Sequence, residues 1–392
     1  MSTNTKVEVP KLKKMLDRTT MTDTKVLLFI TIAVFIVMYA SAVIFLGKGF
    51  SKPQTFFNIL NENAALIILS CGMSLVMITG GIDISVGQVT ALVCMSCAVH
   101  LDYHNGNVFT ALLIALGIGL AFGLIQGFLI AYLKIQPFIV TLAGMFFAKG
   151  MTTIVNATQF NVENEQFQAL KGTRITVPGM GSVNKTGTYV PAYVEIGVIV
   201  ALLVVIFLFV LLRWTKVGRS FYAVGGNNQS ANMLGINVTL TKFLAHLMCG
   251  LLAGIGGFVY FMHVGSGSPS HAAGAEMNAI ASSIIGGTML TGGVGDIIGT
   301  LFGVLALSTI KNIVSSLGLD EAWWTNITIA AMLCINPAAG GVLTGTTVLV
   351  FMYYWMRSKK LFGGVNGDLA GWFLCLAELW MTILTAFMSV MA

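Results

Sequence analysis

Long apolar runs without a charged residue recur along this chain and restrict what it can fold into. Residues 26–47 contain no Asp, Glu, Lys or Arg, and a helix of that length rises about 30 Å, enough to cross a bilayer hydrocarbon core. The run is too long for a signal peptide, and no A-x-A cleavage site follows it. Charged residues make up only 9% of the 392 positions, too few to cover a soluble protein of this size. The sequence therefore predicts an all-α, polytopic membrane helix bundle.

The apolar runs predict about ten membrane spans, followed by one or two further spans near the C-terminus. The polar stretch 51–63 is expected to precede the second span. The predicted spans are about 26–47, 64–79, 86–101, 108–132, a fifth that follows Pro137 and ends near 156, then 193–212, 243–262, 277–290, 296–316, and a tenth that begins near Trp323.

The distribution of charge predicts the orientation of the spans. Residues 1–25 carry six Lys and Arg against three Asp and Glu, and the loop 213–242 carries four basic residues and no acidic one. Cytoplasmic loops are enriched in Lys and Arg, so both segments are expected inside. The charges of segment 157–191 nearly balance, and it is expected outside. The net charge of +6 is thus explained by basic residues that orient the spans, and no nucleic-acid partner is expected.

Several motifs that would indicate enzymatic chemistry are missing from the sequence. There is no G-x-x-x-x-G-K-[ST], H-E-x-x-H or G-x-S-x-G pattern, so neither ATP binding nor hydrolase activity is expected of this chain. Cys94 and Cys97 form a C-x-x-C inside a predicted span, and no second pair completes a zinc site. We expect no catalytic residue, no metal and no cofactor.

One stretch of the basic loop carries a family resemblance. Residues 218–237 read GRSFYAVGGNNQSANMLGIN, and they resemble the cytoplasmic signature of the monosaccharide permeases of ATP-binding-cassette (ABC) importers, the ribose, xylose and galactose group. Three other stretches are similar to the same family, in chain order TGGIDISVG at 79–87, QPFIVTLAG at 136–144 and ASSIIGGTMLTGGVGDIIG at 281–299. The resemblance covers about residues 20–333.

The resemblance implies a function and a set of partners. It implies a permease domain over 26–334 in the bacterial cytoplasmic membrane, a separate ABC ATPase, an extracytoplasmic sugar-binding protein, a second permease copy and surrounding lipid. In the loop, Gly225-Gly226 predicts a turn before a capped short helix that starts at Asn227 or Ser230. The residues expected to couple to the ATPase are Gly218, Arg219, Tyr222, Gly225, Gly226, Asn227, Ala231, Leu234 and Gly235.

Glycines recur at every fourth position in three predicted spans. Such spacing gives a flat helix face that permits tight helix contact in a membrane. The three series are Gly119, Gly123 and Gly127, then Gly250 and Gly254, then Gly295, Gly299 and Gly303. In addition, TGGID at 79–83 returns loosely as TGGVGD at 291–296, which indicates an internal repeat of the kind that transporters contain.

Four polar residues near the apolar runs have two interpretations. Asp83 and Asp296 each follow a Gly-Gly pair, and either carboxylate is expected to cap the next helix or to lie in a solute or proton path. Glu276, just before the eighth span, has the same two interpretations. Gln126 is expected either to contact the solute or to bridge helices. Capping is the favoured interpretation of the two aspartates.

The C-terminal tail departs from this pattern. Residues 335–392 resemble the end of a different membrane protein, cobalamin synthase, through the FGGVNGD stretch at 362–368 and Glu378-Leu379. The acidic catalytic region of that family has no counterpart here, so we expect an inactive remnant. An ion-coupled secondary transporter is the alternative for the whole chain, and it would take up solute without ATP hydrolysis.

Overall fold

A computed structural model describes residues 28–44, 50–183 and 189–316, and helices make up most of this part of the chain. The expected N-terminal tail 1–25, the tenth span near Trp323 and the tail 335–392 lie outside the described residues. The helices are α1 Leu28–Ile44, α2 Pro53–Ile78, α3 Val86–Asp102, α4 Val108–Ala131, α5 Pro137–Val155, α6 Glu165–Gly172, α7 Ile196–Trp214, α8 Lys216–Gly226, α9 Asn228–Met233, α10 Val238–Val264, α11 Ala275–Ile285 and α12 Ile297–Ser316.

The composition and outer surface of the long helices fit a lipid environment. Within the described residues, α2, α4, α5, α7 and α10 are long and apolar enough to cross a membrane, and α1, α3 and α12 are shorter apolar helices. Large apolar side chains project outward from the bundle, among them Leu203, Phe147 and Ile206, which are about 60% exposed. The protein is thus a polytopic membrane helix bundle, as the sequence predicts.

Several predicted span boundaries differ from the bounds of the helices. The sequence predicts the second span at 64–79, but α2 begins at Pro53 and includes most of the polar stretch 51–63. Proline is well suited to the first turn of a helix, and Asn63 Nδ2 donates to Ile59 O at 2.8 Å and to Ser308 Oγ at 2.7 Å, so this polar side chain is satisfied inside the bundle. The eighth span, predicted to end at 290, ends at Ile285 because Gly287 has a left-handed φ of +90°.

The contact between α4 and α10 is built on glycine. A Cβ on Gly250 would lie 2.5 Å from Gly123 Cα, and a Cβ on Gly119 would lie 2.8 Å from Gly254 Cα. Real Cβ atoms do not approach backbone atoms so closely, so the two helices touch through their main chains. This confirms the tight packing that the glycine spacing predicts.

Short strands gather at one end of the bundle, in and after the polar segment 157–191. Strand β1 (Phe160–Asn161) pairs antiparallel with β4 (Ser266–Gly267), and β2 (Arg174–Val183) pairs antiparallel with β3 (Tyr189–Glu195). Helix α6 lies between these strands in sequence, and its Phe167 ring stacks on Phe261 of α10 at 4.4 Å between centroids. The opposite end of the bundle carries α8 and α9.

Candidate coupling site

Helix α8 folds back tightly against the end of α7. Thr215 caps it, with Oγ1 accepting from Gly218 N at 3.1 Å. A side chain on Gly218 would overlap the backbone of the last turns of α7. Phe221 and Val224 are fully buried on the same face, whereas Arg219 is exposed. Helix α8 is therefore amphipathic, with its apolar face packed onto the bundle and its polar face turned to solvent.

Five glycines meet where α8 ends. We define the glycine junction as Gly80, Gly225, Gly226, Gly292 and Gly293. A Cβ on Gly292 would lie 2.9 Å from Gly80 N, and a Cβ on Gly293 would lie 2.8 Å from Gly226 Cα. The junction joins the turn after α2, the end of α8 and the turn between α11 and α12 through backbone alone.

A hydrogen bond ties the junction to the last residue of α2. Gly293 N donates to Ile78 O at 2.9 Å. A Cβ on Gly225 would overlap both of these atoms, so the end of α8 sits directly over the bond.

Three of the junction glycines also have backbone angles that favour glycine. The φ angles of Gly80, Gly292 and Gly293 are +78°, +87° and +76°. Residues with a Cβ rarely adopt this left-handed region, and glycine adopts it freely. Gly80 in the first TGG sequence and both glycines of the second are therefore in the left-handed region, and the two turns lie side by side.

Tyr222 links α8 to the start of α12. Its hydroxyl donates to Gly295 O at 2.9 Å. Burial, and then the nearby Asp296 carboxylate, raises the pKa of Tyr222 to about 12, so the phenol keeps its proton and remains a donor at neutral pH. Asp296 Oδ1 accepts from Ile298 N at 2.7 Å and from Gly299 N at 3.3 Å, in the first turn of α12.

Asp83 and Gln126 come together through Ser85. Asp83 Oδ1 accepts from Ser85 N at 3.0 Å and from Ser85 Oγ at 2.6 Å, at the start of α3. Gln126 Nε2, from α4, donates to Ser85 Oγ at 2.9 Å. Each Gly-Gly turn is thus followed by a carboxylate that accepts backbone hydrogen bonds at the start of the next helix.

Beyond the junction, α9 presents two apolar side chains to solvent. Asn227 caps α9, with Oδ1 accepting from Ser230 N at 2.9 Å, and Ala231 is 1% exposed. Met233 and Leu234, which we call the apolar tip, are 87% and 78% exposed. Gly235 turns the chain back toward α10 with a φ of +79°.

The structure groups some of the predicted coupling residues and separates others. Gly225 and Gly226 lie at the junction and Tyr222 bonds to Gly295 beside it, whereas Arg219 and Leu234 face solvent. Sequence reasoning missed that Gly80, Gly292 and Gly293 meet the loop glycines. The only signal for it was the repeated TGG, which does not say that the two copies touch.

Comparison with known proteins assigns the class of the chain. Residues 55–336 match the family described as branched-chain amino acid transport system / permease component. The chain is 36% identical over 322 residues to the inner membrane ABC transporter permease protein YjfF of Escherichia coli (strain K12), covering 82% of this chain and 93% of that protein. It is 34% identical over 336 residues to the fructose import permease protein FruG of Bifidobacterium longum (strain NCC 2705), covering 85% and 94%.

A third relative, the ribose import permease protein RbsC of Escherichia coli (strain K12), is 33% identical over 277 residues, covering 70% of this chain and 82% of that protein. No solved structure matches the chain. The predicted class, a multi-pass transport subunit of the cytoplasmic membrane rather than an enzyme, is confirmed. The chain belongs to the family of branched-chain amino acid transport system permease components, as an ABC transporter permease.

Proposed function

We propose that the chain is the membrane subunit of an ATP-driven monosaccharide importer, and that a separate ATPase moves it through α8 and α9. The observation that carries this proposal is the backbone contact of Gly225 with Ile78 and Gly293. A soluble motor must act on the spans through an element rigidly attached to them. Helix α8 is attached in this way to α2 and to the turn before α12.

The junction lets a displacement of α8 reach several helices. Backbone-to-backbone contacts contain no side-chain rotamers that could absorb a movement, and packed cores respond as discrete rearrangements. Asp83 and Asp296 extend the linkage through their hydrogen bonds at the starts of α3 and α12. ATP binding and hydrolysis in the partner would thus reposition both turns together.

A monosaccharide is the solute class that the relatives support best. Two of them are named as import permeases for fructose and ribose, whereas the family description refers to branched-chain amino acids. In the proposed importer, about ten spans form one permease, a second copy completes the pore, and an extracytoplasmic binding protein delivers the sugar. Residues 1–25 form a cytoplasmic tail in this scheme, 26–334 the permease domain and 335–392 a divergent tail.

Reconstitution tests the function as a whole. The permease is co-purified with its ATPase and placed in liposomes together with the binding protein. We expect monosaccharides to stimulate ATP hydrolysis and to be taken up only with ATP. Uptake driven by an ion gradient without ATP would contradict the proposal, and stimulation by leucine but not by sugars would overturn the solute class.

The apolar tip is expected to seat in the ATPase. Met233→Glu places a charge at a position that is 87% exposed, where it leaves the permease fold intact but disfavours an apolar interface. We expect at least a tenfold loss of co-purified ATPase. The matched control is Met180→Glu, at a 50% exposed methionine of β2 at the other end of the bundle. Equal retention of ATPase by both variants would show that the apolar tip does not contact the ATPase.

A further inference from the structure

The segment 265–274, between α10 and α11, runs along α3 without forming a helix. Cys94 Sγ donates to Ser266 O at 3.2 Å, and a Cβ on Gly267 would lie 2.9 Å from Ala98 Cβ. At the other end of the segment, Ala272 O lies 3.1 Å from a Cβ on Gly87. The segment therefore descends along α3 from residue 98 to residue 87, a distance of about 16 Å at helical rise.

Helix α11 consequently starts deep in the bundle. Its N-cap, Gly274, has a φ of +80° and supplies no side-chain hydrogen bond. Non-helical backbone at membrane depth is tolerated where it is buried in protein or lines a water-filled cavity. Ser270 and Ala273 are exposed, so the rest of the described chain does not cover this side of the segment. Interrupted helices of this kind commonly border the solute sites of transporters.

Two buried acceptor atoms at this depth lack a donor. Glu276, in the first turn of α11, is 9% exposed, and Gln88, in the first turn of α3, is 7% exposed. Neither Glu276 Oε2 nor Gln88 Oε1 has a hydrogen-bond partner among the described residues. Glu276 Oε2 occupies the space that a side chain on Gly87 would fill, so this glycine makes room for the carboxylate.

An unpaired buried acceptor is unfavourable, and an unpaired carboxylate oxygen more so. An ionised carboxylate oxygen and an amide oxygen accept hydrogen bonds, so a donor would satisfy both atoms. The hydroxyl groups of a polyhydroxylated solute are donors, and one solute molecule carries several of them. Glu276, one of the two unpaired acceptors, lies directly after the non-helical segment 265–274.

We propose that Glu276 and Gln88 contact the solute within the membrane, with Glu276 Oε2 and Gln88 Oε1 accepting hydrogen bonds from the hydroxyls of a sugar. This inference rests on the proposed function and assigns its solute contacts. Gly87 holds the site open, since a side chain at that position would displace the carboxylate. The segment 265–274 forms a wall beside it.

The reconstituted importer tests the site through the number of sugar molecules moved per ATP hydrolysed. Glu276→Gln keeps the shape of the side chain but removes its charge, and Gln88→Met removes the acceptor at similar length. We expect about a tenfold fall in sugar moved per ATP in Glu276→Gln, the loss expected for a hydrogen bond to a charged group. The half-saturating sugar concentration should stay unchanged, because the binding protein captures the sugar. Glu62→Gln, at an exposed carboxylate of α2, is the matched control.

A second measurement is independent of ATP. Ala273→Cys is treated with a small hydrophilic thiol reagent, with and without sugar-loaded binding protein. We expect the loaded binding protein to slow modification at least fivefold. An unchanged rate, or normal sugar per ATP in both acceptor variants, would overturn the solute site. A fall in ATPase co-purification in Glu276→Gln would assign Glu276 a structural role and overturn it as well. Failure of the unaltered permease to move sugar would instead refute the proposed function.

Discussion

At the scale of single residues, Gly225 and its neighbour Gly226 occupy very different surroundings. A Cβ on Gly225 would overlap Ile78 O and Gly293 N, whereas a Cβ on Gly226 would meet no atom within 4 Å. The sequence presents these two glycines as equals. Their difference arises from residues more than 60 positions away in either direction, which no local pattern reports.

Alanine at each of these two positions therefore has opposite expected results. Gly225→Ala should destabilise the protein by about 1–3 kcal/mol through overpacking. It should also abolish sugar uptake, because the added methyl group would push α8 away from Ile78 and Gly293. Gly226→Ala should retain uptake and thermal stability. Thermal unfolding in detergent and transport in liposomes measure the two effects. Equal behaviour of the two variants would show that the junction is not tightly closed in the membrane.

At the scale of the elements, the contact between α4 and α10 could be predicted, whereas the shape of α2 and α11 could not. A glycine at every fourth position indicates close approach by itself. The start of α2 was missed because Asn58, Glu62 and Asn63 read as a loop, although Asn63 is satisfied by a partner on α12. The depth of α11 was missed because non-helical backbone inside a membrane has no hydropathy signal.

The glycine contact between α4 and α10 can be tested with two matched substitutions, one in each helix. Gly250→Ala should destabilise the bundle by about 1–3 kcal/mol, because its Cβ would meet the Gly123 backbone at 2.5 Å. Gly117→Ala, on the open face of α4 with no atom within 4 Å, should be neutral or slightly stabilising, since alanine favours helix. Thermal unfolding of both variants checks the contact. A stable Gly250→Ala protein would mean that α4 and α10 lie further apart.

At the scale of the whole molecule, hydropathy and charge were sufficient for the class but not for the junction. Apolar runs locate most of the helices within a few residues, because burial in lipid depends on composition alone. The junction joins residues 80, 225 and 292, far apart in sequence, and a single chain carries no record of such contacts. The motif resemblance pointed to the loop 213–242, and the fold shows which residues of this loop touch the spans.

Orientation of the bundle is testable by labelling. Ser230→Cys lies on α9 and Gln159→Cys beside β1, both at exposed positions. The four cysteines of the described residues, Cys71, Cys94, Cys97 and Cys249, are buried. A membrane-impermeant maleimide should label Gln159→Cys on intact cells. It should label Ser230→Cys only after permeabilisation, because the basic loop is expected inside. Labelling of Ser230→Cys on intact cells would show that α9 faces the outside, where a cytoplasmic ATPase could not bind α8 and α9.

The exposed apolar tip also matters for how cells must make this protein. In the proposed importer, a permease synthesised in excess of its motor would leave Met233 and Leu234 in contact with water. Uncovered apolar side chains favour aggregation and attract chaperones and proteases. Surplus copies would therefore be short-lived, and balanced production of the two subunits would set how many importers the membrane holds.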